Sequence, residues 1–410
     1  MRALILAVIG SVLSAQGAPG DAAIAPAETA SAYLQLGDEQ LRAGDARGAA
    51  TSYASAVSLL EARSGSNSTA LVAPLTSLGR ALSPIDSASA QSAFERAISI
   101  SRRSSGLFNE DQIDALRGSA TLYSIDGDFA RALGALEYVV RVHERLYGPS
   151  DQRTALAMAD VAQWHAATGD FLDARQRYRQ ALQIIESQAG PDSIALVEPL
   201  AGLADVYRRE ATGDTDYDAS RTNDMAVQTR RQLLSVGADN YGSWRKLHPS
   251  GLRYLQRALQ IADNNPAQID PAIHRTVLLQ TGDWLQLARQ PANALPYYRR
   301  TFELKATDPM TPRESLQLPV PVYMSFPPAA AKHRALPENE IRVTFVVIEF
   351  DVTPQGYVAG PRVVEADTSE PNKRAALKAL ADWIYRPRFE NGAPVETRSV
   401  RYRMSFREQI

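Results

Sequence analysis

Two stretches far apart in the chain share one pattern: YLQLGDEQLRAGDARGAATSYASAV, residues Tyr33–Val57, and LLQTGDWLQLARQPANALPYYRRTF, residues Leu278–Phe302. In each stretch, Gly-Asp begins four residues after a large side chain, and an alanine lies four residues before a tyrosine. A spacing of four places both members of a pair on one face of a helix. Each stretch therefore predicts two helices, with small residues that let a neighbouring aromatic ring approach closely.

The same positions recur between the two stretches at a regular spacing. The copies place them at Leu75, Gly79, Ala90 and Phe94; at Leu116, Ala120, Ala132 and Leu136; and at Met158, Ala162, Ala174 and Tyr178. A fifth copy opens with Leu200 and Ala204, and its second helix resumes only at Leu255 and Ala258. The last position of the first copies, at Tyr53, Phe94, Leu136 and Tyr178, returns after 41, 42 and 42 residues. Gly148-Pro149 and Gly190-Pro191 mark the same point in successive copies, as turn residues do.

This pattern resembles the tetratricopeptide repeat, and its length resembles that of the longer repeats in kinesin light chains. The resemblance implies antiparallel helix pairs that stack into an all-helical solenoid over residues 32–306. It also implies a concave groove that holds a peptide or a helix of another protein.

An insertion interrupts the fifth repeat near residues 211–250, because Leu255 comes 35 residues later than one period after Tyr178 predicts. The segment Gly213–Asp218 has the acidic residues of a calcium loop, but that motif needs glycine at its sixth position and glutamate at its twelfth. Ala219 and Met225 occupy those positions. An acidic loop is therefore favoured over a metal site, and an extra helix is expected over residues 223–236.

A different fold is expected after the repeats. Six prolines between Thr307 and Pro328 exclude a continuous helix, so residues 307–340 are predicted to form a linker, either a semi-extended spacer or a first irregular strand. The β-branched and aromatic run Ile341–Val352 predicts a strand with contacts on both faces. A turn at 354–356, a strand over Tyr357–Glu365, a helix within Glu370–Ile384 and a final strand or strand pair follow. The fold class is thus a solenoid followed by a small α+β domain.

The order strand, strand, helix, strand resembles the C-terminal domain of the TonB family of energy transducers, over residues 341–410. The matching features are FDVTPQGYV in the hairpin, Trp383 followed by Tyr385-Arg386-Pro387, and Asn391-Gly392 with Pro394-Val395. The resemblance implies a periplasmic domain whose final strand pairs with a short segment of an outer-membrane receptor or with a second copy of the domain. Such pairing is strand addition to an exposed sheet edge.

The N-terminus resembles a secretory signal. Met1-Arg2 precedes the apolar run Ala3–Leu13, and small residues follow it, which predicts a signal peptide over residues 1–17 and a disordered leader over 18–31. The run is shorter than the roughly 20 apolar residues of a membrane span. The expected location is therefore the periplasm.

Composition excludes several classes of partner and site. The chain contains 44 basic and 46 acidic residues, with a formal charge of −2, so no overall field attracts nucleic acid or anionic lipid. Cysteine is absent, which excludes disulfides and thiolate sites. No nucleophile, phosphate-binding or zinc-protease motif is present, and the five histidines are far apart in sequence. Neither an enzyme nor a cofactor is predicted, and His165 is assigned to packing between helices.

The final strand is the strongest candidate for a binding site. Val400, Tyr402, Met404 and Phe406 alternate with polar residues, so one face packs on the helix and the other faces solvent. Arginines on an exposed edge have two interpretations: they discourage aggregation, or they select an acidic partner strand. The predicted partner-binding residues are Arg398, Ser399, Arg401, Arg403 and Ser405, with Arg386 and Arg388 widening the basic patch.

The favoured function is a periplasmic interaction scaffold that combines a repeat groove with a strand-adding domain. The alternative is an atypical energy transducer that retains its N-terminal segment as a membrane anchor. A TonB-type transducer needs an inner-membrane helix and a long proline-rich rod, whereas here a repeat array stands in place of the rod. The scaffold is favoured for that reason.

Overall fold

The computed structural model describes residues 26–213, 247–304, 314–327 and 341–409. The repeat region is helical: α1 Pro26–Arg42, α2 Ala46–Ser64, α3 Val72–Leu82, α4 Ser87–Ser105, α5 Ile113–Ile125, α6 Phe129–Tyr147, α7 Gln152–Ala167, α8 Phe171–Ala189, α9 Val197–Thr212, α10 Ser250–Asn264, α11 Pro271–Leu287 and α12 Pro291–Glu303. Consecutive helices pack as pairs, and each pair packs on the next. The predicted solenoid is confirmed.

Aspartate side chains begin several of these helices, and glycines end them. Asp45, Asp86 and Asp128 accept backbone N–H groups at the starts of α2, α4 and α6, which satisfies amides that have no partner inside the helix. Each of α2, α4, α6 and α8 ends at a glycine with positive φ. Gly148, at the end of α6, has φ +96°, a conformation that favours glycine over residues with a side chain.

Glycine and aromatic residues pack closely inside the repeats, as the sequence pattern predicts. A Cβ atom added to Gly37 would lie 2.7 Å from the ring of Tyr53, and one added to Gly282 would lie 2.4 Å from the ring of Tyr298. Gly79 has the same relation to Phe94, at 2.6 Å. The missing side chain therefore allows the two helices of a repeat to approach over a buried ring.

The C-terminal part is a small α+β domain, as predicted. Its elements are α13 Glu314–Gln317, β1 Val320–Tyr323, β2 Ile341–Val352, β3 Val358–Asp367, α14 Glu370–Leu380, β4 Ile384–Arg386, β5 Arg388–Glu390, β6 Ala393–Val395 and β7 Thr397–Gln409. Strands β3, β2 and β7 form an antiparallel sheet in that order, β1 pairs with β4, and β5 pairs with β6. Trp383 lies fully buried between the sheet and α14.

Several boundaries differ from the expectations. Helix α1 begins at Pro26, inside the predicted leader, because Ala30 is already buried and proline is favourable in the first turn of a helix. Helix α14 ends at Leu380, so Trp383 follows the helix and is not its last turn. The linker contains a short helix and β1, which matches the alternative of an irregular strand.

The prediction that β2 is covered on both faces was wrong. Val346, Ile348 and Phe350 are buried against α14 and Trp383. On the opposite face Val343 is 66% exposed, and no second layer in the described part of the chain covers it. The side chains of Arg362, Arg401 and Arg403 shield that face in part.

None of the helices in the described ranges combines the length and apolar character needed to cross a bilayer. The predicted signal peptide and most of the insertion in the fifth repeat, including its expected helix, lie outside the described residues.

Candidate functional site

Strand β7 forms one edge of the three-stranded sheet in the described structure. It pairs with β2 from Ile341 opposite Gln409 to Phe350 opposite Val400 without a change of register. Strand β3, the other edge, has two irregularities in its pairing with β2 and contains Gly360-Pro361. Proline cannot donate a ladder hydrogen bond, and bulges twist an edge away from further pairing. Of the two edges, β7 is therefore the regular one.

A bulge marks the start of β7. Val352 lies opposite Thr397 and Phe350 opposite Val400, so Asp351 alone faces Arg398 and Ser399. Ser399 has φ +56°, and its backbone N–H donates to Asp351 Oδ1 at 2.8 Å. This carboxylate thus holds the bulge in place and uses the amide of one predicted site residue. Arg398 is exposed and pairs with Glu396 at 2.8 Å.

Glu349 lies between two arginines on the outer face of the sheet. Arg401 Nε donates to Glu349 Oε2 at 2.8 Å, and Arg362 of β3 donates to the other carboxylate oxygen. The hydrogen bonds from Arg401 and Arg362 lower the pKa of Glu349. The Glu349 side chain is only 6% exposed, whereas those of Arg401 and Arg362 are 68% and 70% exposed. The face presented to solvent is therefore formed by the arginines.

Arg403 and Ser405 continue the same face. The guanidinium carbon of Arg403 lies 3.9 Å from the centroid of the Phe345 ring, a cation–π contact that is worth about 0.5–1 kcal/mol at exposed sites. Both Arg403 and Ser405 are exposed, whereas Met404 between them is buried. The alternation predicted for this strand is confirmed, and five of the predicted residues lie along one strand: Arg398, Ser399, Arg401, Arg403 and Ser405.

Arg386 binds the last repeat of the solenoid and does not lie on the β7 edge. It follows Tyr385 in β4 and faces the last repeat, where Nε and Nη2 donate to Asp283 Oδ1 and Oδ2 of α11 at 3.0 and 2.6 Å. The two side chains are only 11% and 16% exposed. Tyr298 also donates its hydroxyl to Asp283, at 2.9 Å. A bidentate pair of this kind is directional and strong, so Arg386 connects the C-terminal domain to the solenoid.

Further contacts extend this connection. Gln286 of α11 donates its side-chain amide to the carbonyl oxygen of Gln355, in the turn between β2 and β3. Phe389 of β5 packs edge-on against Tyr298, with ring centroids 6.1 Å apart. Leu316 of α13 is buried in the same cluster. The C-terminal domain therefore covers the apolar end of the last repeat, which in a solenoid must otherwise be capped.

Arg388 is also occupied within its own domain. Its side chain is 27% exposed and pairs with Glu390 across one residue of β5, and Nη2 lies 3.4 Å from the carbonyl oxygen of Glu396. Arg388 thus supports the β5–β6 hairpin, whose turn is Asn391-Gly392 with φ +50° and +77°. Positive φ at both central residues is typical of a two-residue hairpin turn.

Sequence reasoning missed the residues on the repeat side of this contact. The signal was present: Gly-Asp occurs at 37–38 and at 282–283 in the two matching stretches. In the first repeat Asp38 accepts the Tyr53 hydroxyl at 2.6 Å, just as Asp283 accepts that of Tyr298. The second role of Asp283, binding Arg386, depends on a residue 103 positions away and has no local signature.

Two family models match the chain. The model described as tetratricopeptide repeat matches residues 111–187, and the model described as Gram-negative bacterial TonB protein C-terminal matches residues 342–407. No curated protein matches the sequence.

Several solved structures resemble the repeat region at low identity. BtubC from P. vanneervenii is 17% identical over 68% of this chain and 91% of its own, with a TM-score of 0.40. The TPR-like repeats of a Podosopora anserina protein assigned to the kinesin light chains are 14% identical over 53% and 99%, with a TM-score of 0.40. A tetratricopeptide repeat protein from Parabacteroides merdae is 14% identical over 68% and 94%, with a TM-score of 0.31.

The helix pairs, the sheet topology and the two family matches agree. The chain consists of a tetratricopeptide repeat region followed by a TonB-type C-terminal domain.

Proposed function

We propose that the protein is a periplasmic interaction scaffold whose β7 edge adds an extended strand from a partner protein. The observation that carries the proposal is the regular edge of β7, which runs from Val400 to Gln409 without glycine, proline or change of register. An added strand gains main-chain hydrogen bonds along such an edge, and side chains beside it give specificity. Arg398, Arg401 and Arg403 favour acidic residues in that strand.

The repeat array supports the same proposal. Tetratricopeptide repeats suggest protein–protein interaction, and the contact between Asp283 and Arg386 fixes the C-terminal domain on the last repeat. A partner that binds both the repeat groove and the β7 edge therefore meets two surfaces held at a set distance. Once the partner is bound at one of these two surfaces, its effective concentration at the other surface is raised.

The test is cross-linking in cells with charge-reversed variants of the full chain. Deleting the C-terminal domain is unsuitable, since it would expose Tyr298 and the end of the last repeat. The double variant Arg398→Glu and Arg403→Glu is expected to lose most of the partner captured by the wild type. Arg374→Glu, on the exposed side of α14, is the matched control and is expected to capture it normally. Equal capture by all three proteins would refute a role for the β7 edge.

A second candidate function is atypical energy transduction, favoured by the match of residues 342–407 to the TonB C-terminal family. This function requires the N-terminal segment to stay in the inner membrane. Mass determination of the mature protein distinguishes the two. Loss of residues 1–17 supports the scaffold, and a retained Met1 in the membrane fraction supports the transducer.

A further inference from the structure

A recurring ion pair connects the second helices of neighbouring repeats. Arg96 of α4 pairs with Glu61 of α2, and Arg257 of α10 pairs with Glu186 of α8. Each arginine also donates to a backbone carbonyl oxygen in the loop after its partner's helix, at 2.9 and 2.7 Å respectively. These contacts bridge the groove between α2 and α4 and the groove between α8 and α10.

The junction between α4 and α6 replaces this ion pair. At the repeat spacing of 41 and 42 residues, Arg102 stands where α2 and α8 have glutamate, and Tyr138 stands where α4 has arginine. The Tyr138 hydroxyl still donates to a loop carbonyl oxygen, that of Leu107, at 2.7 Å. The ion pair becomes a cation–π contact, with the guanidinium carbon of Arg102 4.8 Å from the centroid of the Tyr138 ring. A neutral pair has thus become one positive charge.

Two more arginines lie beside this junction. The guanidinium carbon of Arg141 is 5.4 Å from the centroid of the same Tyr138 ring. Arg102 and Arg103 donate to amide side-chain oxygens at 2.7 and 2.8 Å. All of these partners are neutral, and over the described ranges none of the three arginines pairs with a carboxylate. A carboxylate from a binding partner therefore has three arginines with which it can pair.

A cavity of about 580 Å³ fills the groove between α4 and α6. Leu116 of α5 is buried at its floor, and Ile98 of α4 and Ala135 of α6 line its walls. Glu95 is the one carboxylate among the lining residues, and it lies seven residues before Arg102, which is about 10 Å along a helix. The cavity is therefore largely apolar, with positive charge at one end.

This cavity lies on the opposite side of the solenoid from the concave groove. The first helices of neighbouring repeats contact each other, as α3 and α5 do and as α7 and α9 do. Helices in closer contact occupy the inner side of a curved stack. The walls α4 and α6 are second helices, so the cavity opens on the outer side and is distinct from both the concave groove and the β7 edge.

Exposed apolar side chains extend the surface beyond the cavity. Leu107, which lines the cavity, is 62% exposed, and the adjacent Phe108 is 39% exposed. Phe108 stacks on the Tyr138 ring, with centroids 6.1 Å apart. Apolar patches with a polar rim are typical of protein interaction sites. A protein segment covers both the cavity and these side chains, whereas a small molecule in the cavity would leave them in water.

We propose that the groove between α4 and α6 binds a segment of a partner protein in which an apolar side chain is flanked by carboxylates. The apolar side chain fills the cavity over Leu116, and the carboxylates pair with Arg102, Arg103 and Arg141. Charge-assisted hydrogen bonds of this kind are stronger than the neutral ones that these arginines make within the chain. The partner thus supplies the carboxylate that Glu61 supplies at the junction between α2 and α4.

The test is selection of a displayed library of random dodecapeptides on purified full-length protein, followed by fluorescence anisotropy with the labelled synthetic peptides. Enriched peptides are expected to carry an apolar residue beside aspartate or glutamate. Arg102→Glu with Arg103→Glu is expected to weaken their binding at least about tenfold, because it reverses charges that face the ligand. Arg47→Glu, on the exposed side of α2, is the matched control and is expected to bind them as the wild type does.

A second variant closes the groove with the contacts of the neighbouring junctions. Arg102→Glu with Tyr138→Arg restores both members of the ion pair that Glu61 and Arg96 form. This variant is expected to keep the unfolding temperature of the wild type and to bind the peptides at least about tenfold more weakly. It separates loss of the site from loss of the fold.

Three outcomes would overturn the proposal: no peptide is enriched, the enriched peptides lack acidic residues, or both groove variants bind them as the wild type does. Peptides whose binding is lost only in Arg398→Glu with Arg403→Glu would also overturn it, because they would lie on the β7 edge. That last result would leave strand addition standing, so the two proposals fail separately.

Discussion

Arg386 of the C-terminal domain and Asp283 of the last repeat form a bidentate ion pair, with donor–acceptor distances of 3.0 and 2.6 Å, in which both side chains are nearly buried. Arg386 belongs to the stretch after Trp383 that resembles the TonB family. The TonB-type domain therefore supplies a contact with the solenoid as well as the edge strand β7. This contact makes the solenoid and the sheet parts of one unit.

Removing the acidic partner should disrupt that unit. Asp283→Asn leaves Arg386 buried beside a neutral group, and breaking a buried pair in this way costs about 3–5 kcal/mol. Asp38→Asn only exchanges the charged acceptor of the Tyr53 hydroxyl in the first repeat for a neutral amide oxygen, which costs about 1 kcal/mol. Urea unfolding of the two variants measures the difference. Equal losses of stability would show that the ion pair adds nothing beyond the tyrosine hydrogen bond.

Close packing of glycine on an aromatic ring can be tested in the last repeat. In Gly282→Ala the new Cβ would lie 2.4 Å from the buried Tyr298 ring, and such overpacking costs about 1–3 kcal/mol. Gly134→Ala, on the exposed side of α6 with no atom within 4 Å, should stabilise the protein by up to about 1 kcal/mol. Thermal unfolding checks both signs. A stabilising Gly282→Ala would contradict the packing described here.

The turn between β2 and β3 offers a similar comparison. Gly356 has φ +80°, and a Cβ there would lie 2.0 Å from the carbonyl oxygen of Tyr385. Gly360 has φ +57° with open space around it. Gly360→Ala should therefore cost only the backbone strain of about 1–2 kcal/mol, and Gly356→Ala should cost more because backbone atoms must move. Similar unfolding midpoints for the two variants would argue against this close approach.

Acid should weaken the third repeat through His143. Burial lowers the pKa of His143, and the positive charge of Arg117 adds to the effect; nearby Glu110 and Asp160 oppose it, and Arg153 reinforces it. Neither ring nitrogen has a hydrogen-bond partner. The unfolded chain therefore takes up the proton more readily than the folded chain, so stability is full above the unfolded pKa of about 6.5 and falls as the pH drops below it.

His143→Phe tests this sign, since it removes the titrating group and leaves the others in place. Unfolding free energies measured at pH 7 and pH 5 should fall more for the wild type than for the variant. The same fall in both proteins would assign the acid sensitivity to other groups.

Local patterns allowed most of the fold to be predicted from the sequence. The spacing of Tyr53, Phe94 and Tyr178 was sufficient to predict the repeats, because the contacts that form each repeat join residues within about one period of the sequence. The β2 strand and the alternation along β7 followed from residue types with a period of two. The end of α14 was placed too late, since the apolar spacing continues through Trp383 although its ring packs from the following turn.

Local sequence patterns could not predict which residues far apart in the chain would be in contact. The sequence assigned Arg386 and Arg401 to the same basic patch. In the structure, Arg386 binds Asp283 in the repeat region, whereas Arg401 binds Glu349 on the neighbouring strand. Only the fold decides which arginine is covered. The bulge at Ser399 likewise has no glycine to signal it, because Asp351 supplies the contact that holds it.

The most direct test of the central claim is site-specific photo-cross-linking in cells, with the reactive group placed at Ser405 on β7 or at Glu365 on β3. Both positions are exposed, and they lie on opposite edges of one sheet. Strand addition to the β7 edge predicts a partner adduct from Ser405 and none from Glu365. Adducts of equal yield from both positions, or from Glu365 alone, would contradict it.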